Sequence, residues 1–468
     1  MKNTQKKYYI RKLFASALFF VLCLSASAAA LMSRTGALYL NSDDYSNAHI
    51  QLAQVEYERS RYETAMGDVF DCSGIPIVTG TGLLKDSGYA EYDPTFSYLL
   101  GNTNLDDRRL LNANSETLLT PCGTTEEDGT PKGCSIRLTI DSDLQLHIAS
   151  QLEGKRASAV VLSRKSGALK ALAGSYKDDF DLGSEPDEKT LARYNKSDEP
   201  LWIPPYLTDD TAPGSVYKIF TSALILENGD GDEQYEDIGY LEFPEGKLYN
   251  NNEEVYGTLD LTDAFVHSVN TYFGSAYASA NLADIRDLSD RLMLNHDIET
   301  DFGTVSSHTI FRSYSSFERA STGFGQGCLQ LNNVSLAMMT QGVLEGRIYR
   351  PHVLDADRCT AAPGELISVE STVDEEIISD GCVSAETSKS IEELMGAAAR
   401  NYQLPDMIKG AKTGTADLSE GTRATMIAFN DDYIIVVSEL SNDSAYGISQ
   451  KDTVTGIFAK LVELGYSE

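Results

Sequence analysis

The stretch TAPGSVYKIFTSALILENG, residues 211–229, carries most of the information in this sequence. A Pro-Gly pair interrupts the chain before Ser215 and an Asn-Gly pair ends the apolar run that follows, so a helix is predicted between these breaks. Apolar residues at helical spacing give that helix a buried face. Ser215 and Lys218 are three residues apart and project from the same side, near the helix N-terminus. The free N–H groups at this end favour an anion.

The pair of Ser215 and Lys218 has the chemistry of a nucleophile and its base. A serine hydroxyl is a weak nucleophile until a neighbouring group takes its proton. Lys218 can take that proton only while it is neutral, and burial or a second cation would lower its pKa from the reference value of about 10.4. No other lysine of the chain follows a serine at this spacing. The alternative is a capping serine followed by a surface lysine.

The chain has 468 residues and a formal net charge of -32, with a composition typical of a globular protein. This length allows an enzyme domain with a smaller companion. An acidic surface repels phosphate backbones, so nucleic acid is not expected as a partner. The cysteines form no Cys-x-x-Cys pair, and no metal or organic cofactor is indicated. Cys122 with Cys134 and Cys359 with Cys382 are expected either as disulfides or as free thiols.

The N-terminus contains an uncharged apolar stretch behind a basic segment. Residues 13–33 carry no charge, and a bilayer span needs about 20 apolar residues. The lysines and arginines of residues 1–12 would hold that end in the cytoplasm. We therefore expect residues 1–34 to form a cytoplasmic tip and transmembrane signal-anchor of a single-pass cell-membrane protein. A signal peptide cleaved after residues 26–28 is the alternative, and both interpretations make the remaining chain extracytoplasmic.

Beyond the predicted anchor, composition divides the chain into two domains. Residues 35–134 are predicted to form a smaller N-terminal domain, which includes two short strands around a turn at Ser73-Gly74. The segment 121–133 is rich in turn formers and acids, and it predicts a hinge or exposed loop. Residues 135–468 then form the main domain.

The main domain has the pattern of an α+β fold. Residues 136–140 alternate like a strand, and Asp141 is placed to cap the helix that follows. Two hairpins are predicted with turns at 166–167 and 430–432, and a helix is predicted at 452–464. This order predicts a central antiparallel sheet covered by helices.

A second motif, HSVNTYF at residues 267–273, contains Ser268 and Asn270. A hydroxyl and an amide at this spacing can relay a proton and hold a substrate amide. The same residue types recur at Ser279 and Asn281, and either pair also fits a turn or a helix cap. We favour the first pair because of its spacing from Ser215 and the aromatic residues after it.

A third motif, KGAKTGTADL at residues 409–418, contains Lys412, Thr413, Gly414 and Thr415. A glycine inside a short β segment permits close backbone approach, so a peptide can pair alongside it as an added strand. The lysine and the threonine hydroxyls would then hold a carboxylate. In isolation the same residues also fit a simple turn.

In chain order, Ser-x-x-Lys, Ser-x-Asn and Lys-Thr-Gly form the signature of penicillin-binding proteins and serine β-lactamases. The sequence resembles the penicillin-binding transpeptidases, especially the short class B (monofunctional) kind with one membrane anchor. Three further segments are similar to the family: GDVFDCSGIP at 67–76, TIDSDLQ at 139–145 and GFGQGCLQLNNVSLAMM at 323–339. The resemblance implies the fold shared by transpeptidases and serine β-lactamases, with a non-catalytic pedestal before it.

The resemblance also implies an activity, that of a D,D-transpeptidase that crosslinks peptidoglycan stem peptides. Ser215 would attack the carbonyl of the penultimate D-Ala, Lys218 would accept its proton, and Ser268 would pass a proton to the departing D-Ala. Asn270 would hold the substrate amide. Lys412, Thr413 and Thr415 would bind the terminal carboxylate, and Gly414 would belong to the same substrate-binding strand. β-Lactams would acylate Ser215, and other cell-wall synthesis proteins such as a glycosyltransferase are implied partners in cell division or cell shape.

The sequence departs from the family pattern in two segments. The family often has a Trp-Phe pair where this chain has Thr425-Met426-Ile427, and Asp71-Cys72 lacks the arginine of the early motif. One alternative is a class D β-lactamase-like hydrolase or lactam sensor, whose second motif would be Ser-x-Val instead of Ser-x-Asn. Another is a catalytically inert cell-wall scaffold. A D,D-carboxypeptidase activity differs from transpeptidation only in the acceptor.

Overall fold

The structure is a computed structural model, and it describes residues 63–80, 92–101, 109–176, 192, 203–208, 211–309, 315–362, 365–368, 375–418, 421–441 and 448–467. Ala65–Glu468 forms one compact unit. The anchor predicted at 13–33 lies outside the described residues, and no helix within them is long and apolar enough to cross a membrane. The division at residue 134 stays a prediction.

The described strands are β1 (Val69–Phe70), β2 (Pro76–Val78), β3 (Pro121–Thr125), β4 (Pro131–Gly133), β5 (Ser135–Leu138), β6 (Arg156–Ser163), β7 (Leu169–Ser175), β8 (Tyr235–Asp237), β9 (Tyr240–Phe243), β10 (Gly246–Tyr249), β11 (Gly257–Leu259), β12 (Ile298–Thr300), β13 (Gly303–Val305), β14 (Ser307–Thr309), β15 (Leu329–Leu331), β16 (Arg347–Tyr349), β17 (Leu354–Ala362), β18 (Glu365–Ser368), β19 (Ile377–Asp380), β20 (Gly410–Leu418), β21 (Gly421–Phe429) and β22 (Tyr433–Ser441). The described α-helices are α1 (Ser97–Leu100), α2 (Leu110–Ala113), α3 (Ser115–Leu119), α4 (Ser142–Leu152), α5 (Lys218–Glu227), α6 (Leu261–Val266), α7 (Asn270–Ser279), α8 (Leu282–Arg291), α9 (Ser316–Gly323), α10 (Asn333–Glu345), α11 (Ala385–Asn401) and α12 (Ile448–Glu463). Short 3-10 helices lie at Pro94–Phe96, Pro205–Leu207, Gly214–Tyr217 and Asn251–Glu253.

A five-stranded antiparallel sheet forms the centre of this unit, with the strand order β20-β21-β22-β6-β7. Both predicted hairpins are confirmed as the neighbouring pairs β6–β7 and β21–β22. The predicted helix before the first hairpin is α4, whose N–H of Leu144 donates to the capping carboxylate of Asp141 at 2.9 Å. Within the described residues β20 pairs with β21 alone, so it is an edge of the sheet.

The central sheet is buried on both faces, because its inner strands are apolar at successive positions rather than at alternate ones. Along β22, Ile434 and Val436 pack with α5, α10 and α11, whereas Ile435 and Val437 pack with α4 and α12. The α+β arrangement of a sheet covered by helices is therefore confirmed.

The first strands of the described chain belong to a second five-stranded sheet, with the order β18-β17-β5-β1-β2. β1 and β2 are the two strands predicted around Ser73-Gly74. The buried Asp71 holds this turn, because its carboxylate accepts hydrogen bonds from the N–H groups of Ser73 and Ile75 at 2.9 and 2.8 Å. It also accepts from the Ser142 hydroxyl at 2.6 Å, which ties the turn to the start of α4.

Cys72 stands in this turn where the family pattern has an arginine. Lys170 of β7 brings a cation there, with its Nζ 3.4 Å from Cys72 Sγ. The hydroxyl of Tyr466 lies 3.2 Å from the same sulfur and donates to Asp141 at 2.6 Å. The turn thus lacks the arginine of the family pattern, and the amine of Lys170 from a different strand lies beside Cys72.

One expectation from the sequence is corrected, and the structure decides between the two alternatives for the cysteines. The segment 121–133 is the hairpin β3–β4 rather than a loop, since Gly129 at φ +88° makes its turn and backbone bonds of 2.8 Å join Ala65 to Pro131 and Gly133. The cysteines at 122, 134 and 382 are free thiols, so neither suggested disulfide forms.

Substitution of Phe458, which is fully buried in α12, tests the packing of the outer helix. Phe458→Ala is expected to lower the free energy of unfolding by about 3–5 kcal/mol, because it removes apolar contacts and leaves a cavity. Urea unfolding followed by circular dichroism measures this. The matched control is Val462→Ala in the same helix, whose side chain is 39% exposed and whose effect should stay within about 1 kcal/mol. Equal effects of the two changes would contradict the packing described.

Candidate active site

Ser215 lies in the 3-10 helix that precedes α5, and α5 itself begins at Lys218. The predicted helix is therefore correct in place, but its first turn is tighter than expected. Gly214 opens this turn with φ +70°, a left-handed conformation that suits glycine. Among the described residues, Ser215 Oγ has no hydrogen-bond partner, and the side chain is partly exposed.

Backbone contacts press this turn against the edge strand β20. A Cβ added to Gly414 would lie 2.6 Å from the N of Val216 and 2.9 Å from the N of Ser215. A Cβ added to Gly214 would lie 2.6 Å from the carbonyl group of Thr415. Glycines are required at these positions because the two backbones touch, and the N–H of Ser215 is consequently held beside the backbone of Gly414 and Thr415.

The segment Gly325-Gln326-Gly327 contacts the turn from another side. The N–H of Gly214 donates to the carbonyl of Gly325 at 2.9 Å, and a Cβ on Gly325 would lie 1.8 Å from the Gly214 carbonyl oxygen. Gln326 Nε2 donates to the carbonyl of Thr415 at 3.5 Å. The segment thus joins the turn to the end of the third motif.

Lys218 is fully buried and directs its amine at the second motif. Its Nζ lies 2.6 Å from the Ser268 carbonyl, 3.0 Å from Ser268 Oγ and 2.7 Å from Asn270 Oδ1. Burial and the positive charge of Lys412 hold the pKa of Lys218 well below its ordinary value. The amine is therefore suited to be neutral, although its described contacts are to the second motif and not to Ser215.

Ser268 is the point where the two lysines meet. Its backbone has φ +56°, a conformation that costs a non-glycine residue about 1–2 kcal/mol. In this conformation its Oγ lies within hydrogen-bond distance of both Lys218 Nζ and Lys412 Nζ, 3.0 Å from each. Asn270 follows as the first residue of α7, and its Nδ2 donates to the carbonyl of Tyr249 at 3.0 Å, which fixes the amide with its oxygen towards Lys218.

Lys412 comes from β20 and is also fully buried. Besides Ser268, its Nζ donates to the carbonyl of Thr413 at 2.9 Å and to the hydroxyl of Tyr402 at 3.5 Å. Phe265 lies beneath it, with the ring centroid 5.7 Å from Nζ, and an aromatic face favours a cation.

This arrangement can transfer protons. A neutral Lys218 has two hydrogens and one lone pair but faces three oxygens. The carbonyl of Ser268 and the amide oxygen of Asn270 only accept, so the amine gives them its two hydrogens. The hydroxyl of Ser268 can then donate into the lone pair while accepting from Lys412, and it links the two amines.

All eight residues predicted for the site therefore come together at the junction of the 3-10 turn, the start of α7 and the edge strand: Ser215, Lys218, Ser268, Asn270, Lys412, Thr413, Gly414 and Thr415. The alternative Ser-x-Asn pair does not lie at this junction. Ser279 lies at the opposite end of α7 from Asn270 and donates to carbonyls of its own helix, and Asn281 caps α8.

Asp237 is a supporting residue that sequence reasoning missed. Its buried carboxylate accepts from the hydroxyl of Thr271 at 2.7 Å and from Asn250 Nδ2 at 2.9 Å. Asn250 Oδ1 in turn accepts from the N–H of Thr271, directly after Asn270. Burial alone would raise the pKa of Asp237, but the hydrogen bonds from these groups and from backbone N–H groups lower it. No local spacing signals this role, because the partners are far apart in the chain.

Arg423 of β21 was also missed, and it holds the segment before Ser215. Its buried guanidinium donates to the hydroxyl of Thr211 at 2.8 Å, to the carbonyl of Leu331 at 2.7 Å and to Asn333 Oδ1 at 2.9 Å. No group of three or more His, Cys, Asp or Glu side chains among the described residues could hold a metal ion.

Comparison with known proteins identifies the family. A sequence model of the penicillin binding protein transpeptidase domain matches residues 157–463, so the chain belongs to the penicillin-binding transpeptidases. It is 28% identical over 149 residues to penicillin-binding protein PbpB of Mycolicibacterium smegmatis, covering 30% of this chain and 19% of that protein. It is 25% identical over 311 residues to stage V sporulation protein D of Bacillus subtilis, covering 62% and 46%. The chain thus spans less than half the length of these curated relatives.

Solved structures share the fold. A penicillin G acyl-enzyme complex of penicillin-binding protein A from Mycobacterium tuberculosis matches with a TM-score of 0.74 at 19% identity, over 85% of this chain and all of that one (100%). The D,D-transpeptidase domain of a peptidoglycan glycosyltransferase from Eggerthella lenta matches with a TM-score of 0.70 at 19% identity, over 86% and 99%. The fold predicted from the sequence is therefore confirmed.

Asp237→Asn tests the support beneath the second motif. The variant keeps the shape but puts an N–H donor against other donors, so we expect the free energy of unfolding at neutral pH to fall by about 1–3 kcal/mol. A carboxylate with a lowered pKa stabilises the fold above its unfolded-state pKa and loses this effect as pH falls through its folded-state pKa. The difference between variant and wild type should therefore shrink in acid, as measured by urea unfolding at several pH values.

The control for this change is Asp232→Asn, an exposed aspartate of the same region. It should alter the free energy of unfolding by less than about 0.5 kcal/mol. A difference in the free energy of unfolding between Asp237→Asn and wild type that stays constant across the acid range would count against a charged Asp237.

Proposed function

We propose that this chain is a serine D,D-transpeptidase of peptidoglycan synthesis, which β-lactams acylate. The observation that carries the proposal is the hydroxyl of Ser268 shared by Lys218 and Lys412, with Ser215 one turn ahead of Lys218. A neutral amine, a hydroxyl relay and a cation on an edge strand are the parts that acyl transfer from a peptide with a carboxylate end requires.

In the first step, Ser215 Oγ attacks the carbonyl carbon of the penultimate D-Ala while Lys218 takes its proton. The tetrahedral oxyanion is held by the backbone N–H groups of Ser215 and Thr415, because the glycine contacts hold the Ser215 turn against the backbone of Gly414 and Thr415. The C–N bond to the terminal D-Ala then breaks, and the departing amine receives its proton through Ser268. The product is an acyl ester on Ser215.

In the second step, an amine of another stem peptide attacks that ester, loses a proton to the same relay and forms a new amide crosslink. If water attacks instead, the same site acts as a D,D-carboxypeptidase. The free edge of β20 supports peptide binding as an added strand, since its outer N–H and C=O groups face no described strand. Lys412 and the threonines of this strand would bind the terminal carboxylate, and Asn270 would hold a substrate amide.

The proposal extends to location and partners. We place the catalytic unit outside the cytoplasm, attached to the cell membrane by the apolar segment 13–33. Stem peptides are the substrates, and a glycosyltransferase that supplies glycan strands would be a suitable partner in the cell wall, because crosslinking acts on newly made strands.

Ser215→Ala should abolish covalent labelling by a fluorescent penicillin, because the variant has no oxygen to acylate. Ser279→Ala should label like the wild type, since the described hydrogen bonds of that serine stay within its own helix. Gel fluorescence and intact-protein mass measure the adduct. A wild type that never labels would support the inert scaffold, and rapid nitrocefin hydrolysis without a stable adduct would support the lactamase-like alternative.

Lys412→Gln should shift the pH dependence of acylation. The positive charge of Lys412 helps to lower the pKa of Lys218, so its removal raises that pKa and leaves less neutral base at a given pH. The acid limb of the rate profile should move to higher pH, and acylation at neutral pH should slow by about 10–100-fold through loss of charged hydrogen bonds.

Lys409→Gln is the matched control for this experiment, because Lys409 lies three residues earlier and its side chain is 53% exposed. Its acid limb should coincide with that of the wild type. An acid limb unmoved by Lys412→Gln would show that Lys412 does not set the protonation of the base.

A further inference from the structure

Tyr402 lies beside the third motif and has no part in the roles assigned so far. It directly follows α11, and its backbone is held at both ends. Its N–H donates to the carbonyl of Ala398 at 2.9 Å, and its carbonyl accepts from Lys451 Nζ of α12 at 2.7 Å. The phenol ring is therefore presented to β20 from a fixed backbone.

The hydroxyl oxygen of Tyr402 is an acceptor for the carboxylate-binding strand. Thr413 Oγ1 donates to it at 3.1 Å, and Lys412 Nζ and the N–H of Thr413 approach it at 3.5 Å. Burial alone would raise the pKa of Tyr402, but the charge of Lys412 and the hydrogen bonds of Thr413 lower it. The electrostatics thus agree with the geometry, since every described contact of this oxygen is one in which it accepts.

The two threonines of the strand differ in whether their hydroxyl hydrogen is already donated. A threonine hydroxyl has a single hydrogen, and that of Thr413 is given to Tyr402. The side chain of Thr415 is exposed, and its hydroxyl donates to no described residue. Thr413 and Thr415 are two apart and so share one face of the strand. A carboxylate on that face meets one hydroxyl already engaged and one available.

We propose that Tyr402 is a positioning residue that engages the Thr413 hydroxyl and steadies the Lys412 ammonium, and thereby makes Thr415 the main threonine ligand of the substrate carboxylate. This assignment rests on the proposed function, and it adds a ranking of the two threonines, both of which the family resemblance implies as carboxylate ligands. Tyr402 contacts neither Ser215 nor Lys218 in the described structure, so it acts through its neighbours and not on the reacting atoms.

The test compares threonine variants in two backgrounds. Thr413→Val and Thr415→Val are made in the wild type and in Tyr402→Phe, and acylation by a fluorescent penicillin, which has a carboxylate, is resolved into its binding constant and its first-order acylation rate. Thr415→Val should weaken binding by about 10–100-fold through loss of a charged hydrogen bond, and Thr413→Val by about threefold.

Tyr402→Phe should reverse this difference in part. It releases the Thr413 hydroxyl, so in that background Thr413→Val should weaken binding by about tenfold and Thr415→Val by less than it does in the wild type. If Tyr402 served packing alone, each threonine substitution would weaken penicillin binding as much in Tyr402→Phe as in the wild type. Tyr466→Phe, which removes a half-buried phenol hydroxyl that contacts Cys72 and Asp141, is the matched control and should not change the loss of binding caused by either threonine substitution.

Thermal melts of each variant show that it is folded before its kinetics are compared. If the two threonine substitutions weaken penicillin binding equally in the wild type, the proposed role of Tyr402 is wrong. The same holds if Tyr402→Phe does not change the effect of Thr413→Val on binding. Either result leaves the transpeptidase proposal intact. A folded wild type that no penicillin acylates would overturn both.

Discussion

Two lysine side chains that share one serine hydroxyl impose the main constraint on this molecule. Lys218 and Lys412 are both fully buried, and both lie 3.0 Å from Ser268 Oγ. Removing an ammonium ion from water costs several kcal/mol, and two like charges at this spacing repel each other. Their described hydrogen bonds go to carbonyl, amide and hydroxyl oxygens rather than to carboxylates. The pair is therefore most stable when one amine is neutral, and the lowered pKa of Lys218, caused by burial and by the charge of Lys412, favours Lys218 as that amine.

The surrounding structure maintains this strained arrangement. The central sheet supplies Lys412 from an edge strand, and α5 supplies Lys218 from its first residue. Ser268 adopts a left-handed backbone conformation between them, which the network of Asp237 stabilises through the start of α7. Glycine contacts then bring Ser215 against the same edge strand. Backbone packing consequently fixes Ser215, Lys218 and β20, the groups that we propose as nucleophile, base and carboxylate-binding strand.

The residues proposed for the site could be selected from the sequence because they lie in short local motifs. The spacing of Ser215 to Lys218 and of Ser268 to Asn270 is visible in the sequence, and the hairpins of the central sheet follow from apolar runs around turn residues. Tyr402, Asp237 and Arg423 could not be predicted in this way, because each meets its partners only after distant segments fold together. The tight first turn at Gly214 and the hairpin at 121–133 also depend on contacts with other segments. Residues that support the site through long-range packing therefore cannot be predicted from local sequence, whereas those proposed to react lie in local motifs and can be.

A direct measurement of the lysine protonation states is the sharpest test of this account. In protein labelled at the lysine side chains, the NMR signal of each amine can be followed against pH, and the signal of Lys218 is assigned by its absence in Lys218→Arg. We expect that signal to titrate well below the ordinary lysine value of 10.5. If Lys218 titrates with the surface lysines, the amine is a cation at neutral pH, and the mechanism derived from the shared hydroxyl is wrong.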